Sequence, residues 1–417
     1  MPAVKLRILL TALAAASLAS ATASPAQAAR SARFGIQDDA WLLDGPGSLS
    51  SRIGLLDRLG VQVVRVTLRW DQIESTQGTY DWSRYDPLLN GLHDDGIPVI
   101  LTIWGTPGWA RGGGTPSWVP QTAAPIAAFA RAAAQQYSWV HRWEIWNEPN
   151  LRIFLNPNSP KVYVQRLLNP AYAALHAVSG ANIVAGGVTS PRATATGLDP
   201  VAFMRGMRAA HAKLDVYSHH PYPLSRRETP FDGCPCAGLT LASLPKLLAE
   251  VRRDFGAKHV WLTEYGYQTN PPDTLLGVSF AKQAQYESEA ARRVYATPAV
   301  DVLIHYLIQD EPEVGRWQSG LLTVRGAPKP AENAFAAPLA QVSRHGTRTV
   351  LWGQVRPAAA GRLYQLQLFS GGRWLAVTPV SRAPATGFVR TVTAPRGARV
   401  RIWCPRVRVA GPAVTIS

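Results

Sequence analysis

The chain has 417 residues, of which 47% are apolar and 17% are charged, a composition that excludes an intrinsically disordered protein. Its length favours one large domain with an additional module over a single small domain. The formal net charge is +16. Residues 341–417 hold 12 arginines, no lysine and no acidic side chain, so this segment alone carries +12. The basic character therefore belongs to the C-terminal segment and not to the bulk of the chain.

The first residues predict an export signal. Lys5 and Arg7 precede an apolar run rich in leucine and alanine, and an Ala-x-Ala cleavage pattern follows it and ends at Ala28. We expect a signal peptide at 1–28, cleaved after Ala28 or one residue later. A membrane anchor is the alternative, but the run is short and no later segment reaches about 18 apolar residues, so no transmembrane segment is expected. The protein is expected to be secreted or associated with the cell envelope.

Eight β-rich runs alternate with helix-like stretches over residues 30–340. The runs cover residues 34–37, 61–68, 98–104, 139–146, 182–187, 214–219, 259–263 and 300–308. The clearest helical stretches cover residues 123–135, 162–177, 244–255, 280–296 and 331–339. This count predicts the α/β class and a (β/α)₈ TIM barrel. A doubly wound open sheet is the alternative. It would usually carry a Gly-rich phosphate turn after its first strand, whereas this chain continues into Gln37-Asp38-Asp39.

After about residue 341 the pattern changes to short alternating runs separated by Gly, Pro and Ser, such as 349–355, 363–368 and 399–403. These runs predict a small all-β sandwich, Ig-like, at 341–417. Because no long linker precedes this module, we expect it to dock directly on the barrel.

Two explanations of the module's charge stay open. An acidic rim of the barrel, with Asp310, Glu311 and Glu313 as candidates, or counterions could offset the arginines. Alternatively, the module could hold the protein on an anionic polymer, because arginine binds carboxylate and phosphate bidentately. Nucleic acid is not expected as a partner, since an exported protein seldom meets it.

The chain has three cysteines, Cys234, Cys236 and Cys404. Export implies an oxidising compartment, yet three cysteines cannot all pair within one chain. A tight ring between Cys234 and Cys236, or a bond from one of them to Cys404, both stay open. No CxxC or His spacing indicates a zinc site, and we expect neither a metal nor an organic cofactor.

Two glutamates end strands that lie across the barrel from each other. The fourth run ends on Asn147-Glu148 and the seventh ends on Glu264. Functional residues of such barrels lie at the C-terminal ends of the strands, so both carboxylates can face one cleft. Glycoside hydrolysis needs such a pair, one protonated to donate to the leaving oxygen and one to attack or to activate water.

The two motifs that hold these glutamates, WNEPN at 146–150 and TEYG at 263–266, resemble the acid/base and nucleophile signatures of clan A glycoside hydrolases. Arg65, in VVRVTLRW, resembles the clan's arginine that supports the nucleophile, and His220 and Tyr222, in YSHHPYP, resemble its His-x-Tyr element. The resemblance covers most of 33–340. It is closest to family 39, with family 5 as the near alternative.

The resemblance implies a role for each matching residue. Glu148 would be the acid/base and Glu264 the nucleophile, and the reaction would retain configuration, with the carboxylates about 5–5.5 Å apart. Asn147 would hold the sugar 2-hydroxyl. Tyr222 and Arg65 would keep Glu264 ionised.

Neighbouring residues are expected to divide between substrate contact and structure. His220 would touch substrate, whereas His219 points the other way along an extended chain and is expected to be structural. Trp146 is expected to pack in the core. Glu144, deeper in the barrel by about 13 Å at ~3.3 Å per residue, is expected to be a buried, paired carboxylate.

Sugars stack on aromatic rings, and four rings near the predicted strand ends are candidate platforms: Trp104, Trp109, Tyr265 and Tyr267. At strand eight the clan often has a tryptophan under the sugar, but this sequence offers Tyr306, Asp310 and Glu311. The acidic pair would bind a basic or hydroxyl-rich sugar, or cap a loop.

The sequence therefore predicts a glycosidase with an oligo- or polysaccharide substrate, acting as a monomer. Three rivals stay open: a transglycosylase, a carbohydrate-binding barrel without catalysis, and an envelope adhesion protein that binds through its cationic module.

Overall fold

The computed structural model describes residues 32–234 and 238–417. The expected signal peptide, 1–28, and Cys236 lie outside the described residues. Among the residues that are described, no helix is both long enough and apolar enough to cross a membrane.

Eight parallel strands form a closed barrel in chain order, which confirms the predicted TIM barrel. The ring closes where the first strand pairs with the eighth, with Arg33 opposite Val302 and Gln37 opposite Tyr306. The strands are β1 (Arg33–Gln37), β2 (Val63–Arg69), β3 (Val99–Trp104), β4 (Arg142–Ile145), β5 (Ile183–Thr189), β6 (Val216–His219), β7 (Val260–Tyr265) and β8 (Val300–Tyr306).

Burial on both faces explains the composition of these strands. All six residues of β7, VWLTEY, are buried, because one face lines the barrel and the other packs against helices. At Gly35 a Cβ atom would come within 2.3 Å of the Val63 carbonyl oxygen, so only glycine fits where β1 meets β2.

The helices surround the barrel and end at recognisable signals. They are α1 (Asp39–Asp44), α2 (Leu49–Leu59), α3 (Trp70–Ile73), α4 (Asp86–Asp94), α5 (Ala124–Gln136), α6 (Pro160–Tyr163), α7 (Asn169–Val178), α8 (Pro200–Ala209), α9 (Leu244–Phe255), α10 (Phe280–Tyr295) and α11 (Pro330–Ala336). A wide turn, Val164–Leu168, joins α6 to α7. The last helix was predicted to reach residue 339, which is wrong. Pro338 disfavours helical backbone at Ala337, so the helix stops at Ala336.

The C-terminal module consists of two antiparallel sheets that share one core. One sheet has the order β14-β10-β9 and the other the order β12-β11-β15-β16, with β13 and β17 attached to the second sheet. The Tyr364 and Phe388 rings, from different sheets, stack with centroids 3.8 Å apart. This arrangement confirms the predicted β-sandwich. The strands are β9 (Leu339–His345), β10 (Arg348–Gly353), β11 (Leu363–Ser370), β12 (Arg373–Ala376), β13 (Ser381–Arg382), β14 (Phe388–Thr393), β15 (Arg399–Cys404), β16 (Val409–Ala410) and β17 (Val414–Thr415).

The module docks directly on the barrel, as expected, and two of its side chains enter the barrel's own core. Trp352 belongs to the barrel's hydrophobic cluster and packs 5.2 Å from the Tyr295 ring. The buried Arg356 guanidinium lies 3.9 Å from the Phe34 ring centroid and donates to the Phe335 carbonyl oxygen at 2.6 Å. The two units are therefore joined by shared packing.

The acidic rim does not offset the module's arginines. Asp310 is buried against Lys329 at 2.7 Å, and Glu313 pairs with Arg316 at 2.9 Å. Within residues 32–234 and 238–417, no ion pair joins an arginine of the module to a carboxylate. These acidic residues therefore do not pair directly with the module's arginines, because each already has a partner near the barrel, and an offset by counterions stays a prediction.

One of the two predicted cysteine pairings is excluded. Cys404 is free and buried in the module's core, on the inward face of β15, so it does not bond to either other cysteine. Cys234 is disulfide-bonded.

Candidate active site

The two glutamates predicted to act together lie at the same end of the barrel. Glu264 is the fifth residue of β7, whereas Glu148 follows the end of β4 by three residues. The chain turns there through two residues with positive φ, Trp146 at 76° and Glu148 at 38°. Non-glycine residues adopt such values at a cost, and they cluster at functional sites.

His220 stands between the carboxylates. Its Nδ1 lies 3.0 Å from Glu148 Oε1 and 3.4 Å from Glu264 Oε2. One oxygen of each carboxylate and one ring nitrogen of His220 all lie within 4.8 Å of one another. The two carboxylates therefore share one small site.

Arg65 lies beneath this pair and is fully buried. Its Nη1 donates to Glu264 Oε1 at 2.7 Å, and its Nη2 donates to Asn147 Oδ1 at 3.1 Å. Its Nε donates to Glu144 Oε2 at 2.5 Å, and Nη1 also contacts Gln37. Arg65 thus supports the predicted nucleophile through direct contact, while its burial keeps it away from the cavity.

Glu144 is the buried, paired carboxylate that the sequence predicts. Besides Arg65, it accepts hydrogen bonds from the hydroxyls of Thr102 at 2.7 Å, Ser218 at 2.5 Å and Thr263 at 2.8 Å. Every donor comes from a different strand. The residue therefore holds Arg65 in place rather than meeting a substrate. Trp146 is also buried as predicted, with Nε1 donating to the Phe154 carbonyl oxygen at 2.8 Å.

The surroundings of the two carboxylates differ, and this sets their protonation. Burial, and next the negative charge of Glu264, raise the pKa of Glu148 well above its usual range. Burial also raises the pKa of Glu264, but the Arg65 charge and the hydrogen bond from Tyr222 oppose that rise. The Tyr222 hydroxyl donates to Glu264 Oε2 at 3.0 Å. Since both of these contacts reach Glu264, the pKa of Glu148 is raised more than that of Glu264, and Glu148 is the carboxyl group suited to hold a proton.

The two adjacent histidines have different environments. His219 is fully buried, with Nδ1 2.9 Å from the Thr189 hydroxyl and Nε2 2.6 Å from the Leu239 carbonyl oxygen, the structural position predicted for it. His220 is also fully buried, and burial and the Arg65 charge hold its pKa well below its usual range. His220 packs against the two carboxylates and does not line the cavity, and its contact with a substrate stays a prediction.

A cavity of about 510 Å³ opens above the carboxylates. The predicted residues on its wall are Trp104, Asn147, Glu148 and Glu264. The wall also contains residues that sequence reasoning did not select, chiefly Gln37, Asp39, Thr67, Arg69, Gln72, Phe154 and Trp317. Tyr306, the last residue of β8, also lines the cavity.

Trp317 brings to the cavity a tryptophan, which the strand-eight motif itself lacks. It comes from the loop after β8 and packs 4.5 Å from the Tyr222 ring and 5.4 Å from the Tyr306 ring. Its backbone N–H donates to Glu311 Oε2 at 3.1 Å. Glu311 therefore caps the loop, and the buried Asp310 pairs with Lys329, so neither acidic residue lines the cavity. The only sequence signal for this position is a tryptophan inside a polar, turn-rich segment.

Three of the four predicted aromatic platforms do not reach the cavity. Trp109 donates to the Glu74 carbonyl oxygen at 2.7 Å and packs edge-on against Trp70. Tyr265 and Tyr267 are buried, with ring centroids 5.8 Å apart. Tyr265 follows Glu264 on the same strand, so its side chain points to the opposite face, toward the helices.

The cluster of Glu148, His220 and Glu264 has ligand atoms spaced closely enough for a metal ion. The Arg65 guanidinium, 2.7 Å from Glu264, already supplies a positive charge to it. That cation disfavours a divalent metal in the same position, whereas it suits a carboxylate pair that performs acid/base chemistry.

Comparison with known proteins agrees with this geometry. Residues 46–150 match the family model of glycoside hydrolase family 42, described as β-galactosidase, and the matched segment ends on the motif that contains Glu148. No curated protein sequence matches the chain significantly.

Three solved structures illustrate the structural likeness. A family 39 glycoside hydrolase from Bacteroides cellulosilyticus WH2 superposes with a TM-score of 0.60 at 17% identity, over 89% of this chain and 80% of that one. A family 5, subfamily 18 enzyme from Streptomyces cattleya, in complex with Manβ1-4GlcNAc, gives 0.54 at 16% identity, over 72% and 78%. The β-glucosidase of Thermotoga maritima gives 0.51 at 13% identity, over 72% and 97%.

At these identities the solved structures show the fold, and the family-model match adds the enzyme class. Together they support a glycosidase with a TIM barrel, followed by a C-terminal β domain.

Proposed function

We propose that the protein is a secreted, retaining glycoside hydrolase that cleaves O-glycosidic bonds of an oligo- or polysaccharide by double displacement. Glu148 is the acid/base and Glu264 is the nucleophile. The observation that carries the proposal is the close, asymmetric carboxylate pair in the barrel mouth. Secretion rests on the signal-like pattern at 1–28.

The distance between the carboxylates supports retention. Retaining glycosidases hold the two carboxyl groups about 5–5.5 Å apart, whereas inverting enzymes separate them by about 6.5–9.5 Å to admit a water molecule. One oxygen of Glu148 lies within 4.8 Å of one of Glu264. A gap of this size is closer to the separation in retaining enzymes, in which the second carboxylate attacks the anomeric carbon directly, than to that in inverting enzymes.

In the first step Glu264 attacks the anomeric carbon while Glu148 gives its proton to the departing oxygen, so that the glycosidic bond breaks as the glycosyl-enzyme ester forms. Arg65 and Tyr222 hold one oxygen of Glu264 each, which orients the carboxylate and keeps it ionised. In the second step Glu148, now a carboxylate, takes a proton from water as that water attacks the anomeric carbon and releases Glu264.

Asn147 is oriented for substrate binding. Its Oδ1 accepts from Arg65, so its amide N–H groups are left to donate into the cavity. A donor beside the acid/base suits the sugar 2-hydroxyl, a contact that strengthens in the transition state. Trp104 and Trp317 provide rings for the sugar faces, although Arg69 already covers part of Trp104, with Cζ 4.8 Å from its ring centroid.

The decisive experiment measures both activity and stereochemistry. A panel of aryl glycosides and purified polysaccharides, followed by release of reducing ends, should identify a cleaved linkage. Proton NMR at early times should then show the product with the anomeric configuration of the substrate. Product of inverted configuration would overturn the double-displacement mechanism, and no cleavage across a broad panel would favour a binding protein.

This mechanism requires no metal, because the two carboxylates supply both acid/base and nucleophilic chemistry. Activity should therefore persist after exhaustive chelation. Loss of activity that one particular ion restores would contradict the mechanism and assign the Glu148–His220–Glu264 cluster to a metal.

A further inference from the structure

The outer face of the module's larger sheet combines arginines with aromatic rings. Along β15 the residues Val400, Ile402 and Cys404 are buried in the module's core. Successive side chains of a strand point to opposite faces, so the alternate residues Arg399, Arg401 and Trp403 point outward. The neighbouring strands complete what we call the Arg–aromatic face, which consists of Gln365, Gln367, Phe369, Trp374, Arg399, Arg401 and Trp403.

The arginines of this face lie against its rings. The Arg401 guanidinium is 4.3 Å from the Trp374 ring centroid and 5.8 Å from that of Trp403. The Arg399 guanidinium is 4.9 Å from the Phe369 centroid and 5.6 Å from that of Trp374. Rings that hold a guanidinium in this way fix its planar fork before a ligand arrives, and this lowers the entropy lost on binding.

Hydrogen-bonding groups lie in the same row. Arg401 Nε donates to Gln367 Oε1 at 2.9 Å, and Gln365 pairs with Trp403 across the two strands. The face therefore presents guanidinium donors, amide groups and half-exposed rings side by side. Along the strand, Arg399 and Arg401 are roughly 6.6 Å apart.

Among residues 32–234 and 238–417, no carboxylate forms an ion pair with Arg399 or Arg401. Residues 341–417 contain no Asp or Glu, and the module docks on the barrel through Trp352 and Arg356, on the other sheet and the loop after it. Arg399 is exposed, and Arg401, Trp374 and Trp403 are partly exposed. The charges therefore face solvent, where a polyanion can reach them.

We propose that the Arg–aromatic face binds an acidic polysaccharide, with Arg399 and Arg401 paired to its carboxylates and the Trp374 and Trp403 rings against its sugar rings. Bidentate arginine–carboxylate pairs, ring stacking and amide contacts to hydroxyls together recognise a charged sugar chain. The choice of a saccharide over another polyanion rests on the proposed glycosidase function. The face would hold the enzyme on the polymer that it cleaves or on one that accompanies it.

The test uses the full-length Glu264→Gln variant, so that binding is measured without cleavage and its outcome does not depend on the barrel's activity. Polygalacturonate is the probe, and fully methyl-esterified polygalacturonate is the uncharged comparison, in affinity electrophoresis at low salt. Binding to polygalacturonate should be clear, should weaken steeply as salt is added, and should be lost with the ester.

Two substitutions address the face itself. Arg399→Gln/Arg401→Gln should weaken binding on the order of 10-fold or more, because two charge-assisted contacts are lost. Trp374→Ala should weaken it about 3- to 10-fold through lost stacking. The matched control is Arg348→Gln/Arg390→Gln, which removes the same charge from exposed positions of the other sheet and should change binding by less than about 2-fold.

Three outcomes would overturn the proposal. Equal losses in the two double variants would mean that net charge alone attracts the polymer. If Arg399→Lys/Arg401→Lys and Trp374→Ala each bound polygalacturonate as tightly as the parent protein, neither the guanidinium fork nor the rings would take part in binding. Single-stranded DNA that binds more tightly than polygalacturonate, with the same dependence on Trp374, would assign the face to nucleic acid. Equal melting temperatures of all variants exclude misfolding as the cause of any loss.

Discussion

The barrel mouth and the C-terminal module both place charges of the same sign close together. The charges in the mouth are buried, whereas most of those in the module are exposed to solvent. In the mouth, two carboxylates share a buried site beside a buried cation, Arg65, and burial together with the charge of Glu264 raises the pKa of Glu148. In the module, 12 arginines share about 80 residues without one acidic side chain, and the structure leaves most of them in solvent.

The difference shows what burial does to crowded charge. Buried like charges cannot both persist, so one group changes its protonation state, and that change is what general acid catalysis uses. Exposed like charges persist because water screens them, and they stay available to bind an anion. The following predictions test this contrast, from the largest expected effect to the smallest.

Removing the nucleophile should give the largest effect. Glu264→Gln keeps the shape of the side chain but cannot form the glycosyl ester, so kcat/KM should fall by roughly 10⁴-fold or more. The measurement is hydrolysis of an activated aryl glycoside, with circular dichroism to check the fold. Near-normal activity would mean that the mouth's carboxylates do not act as assigned.

Removing the buried cation Arg65 should lower the free energy of unfolding more than removing the partly exposed cation Arg69. Arg65→Met leaves Glu144 without its charged partner, and breaking such a buried pair costs about 3–5 kcal/mol of unfolding free energy. The control is Arg69→Met, whose pair with Asp71 is partly exposed and is worth about 1 kcal/mol or less. Urea denaturation measures both. Equal losses would show that burial does not separate the two pairs.

Replacing the acid/base should make stability less sensitive to pH. Because the pKa of Glu148 is raised in the folded state, that state holds the proton more tightly than the unfolded chain does. The resulting stability is present below the unfolded pKa and is lost as pH rises through the folded pKa. Glu148→Gln cannot ionise, so it should match the wild type in acid and exceed its melting temperature increasingly toward neutral pH. A constant difference at every pH would contradict the raised pKa.

Added salt should raise the free energy of unfolding only slightly through its effect on the module. Raising ionic strength shortens the Debye length from about 30 Å at 0.01 M to about 8 Å at 0.15 M, which weakens repulsion among the module's arginines. The gain in unfolding free energy should be under about 1 kcal/mol, because exposed charges interact weakly. Arg348→Gln/Arg390→Gln should show a smaller salt dependence than the wild type in thermal melts. An unchanged dependence would mean that repulsion in the module is negligible.

The barrel and its two glutamates could be predicted from sequence because their signals are local. Each strand is a short β-rich run, and the motifs around Glu148 and Glu264 end two of them, so strand order alone places both in the mouth. Tyr265 and Tyr267 are close to Glu264 along the chain but do not line the cavity. Alternation along the β-strand directs Tyr265 away from Glu264, and the Tyr267 hydroxyl donates to the Glu228 carbonyl oxygen.

Contacts between distant segments could not be predicted in the same way. Trp317 reaches the cavity through a loop whose course depends on the Asp310–Lys329 pair and on the cap that Glu311 provides. His220 is next to a structural histidine, and only the fold shows that it packs under both carboxylates. The order of residues along the chain gives no hint that Trp352 and Arg356 of the module enter the barrel's core.

That last contact sets an order on folding during synthesis. Arg356 stacks on Phe34, which belongs to the first strand of the barrel, and Trp352 packs on the helix that precedes the eighth strand. The ribosome must therefore synthesise the chain through residue 356 before the barrel receives this packing. Until that point the barrel lacks both contacts and is less stable than in the finished protein. For a protein that is exported as proposed here, a barrel with lower stability during synthesis would unfold more readily for passage through a secretion pore.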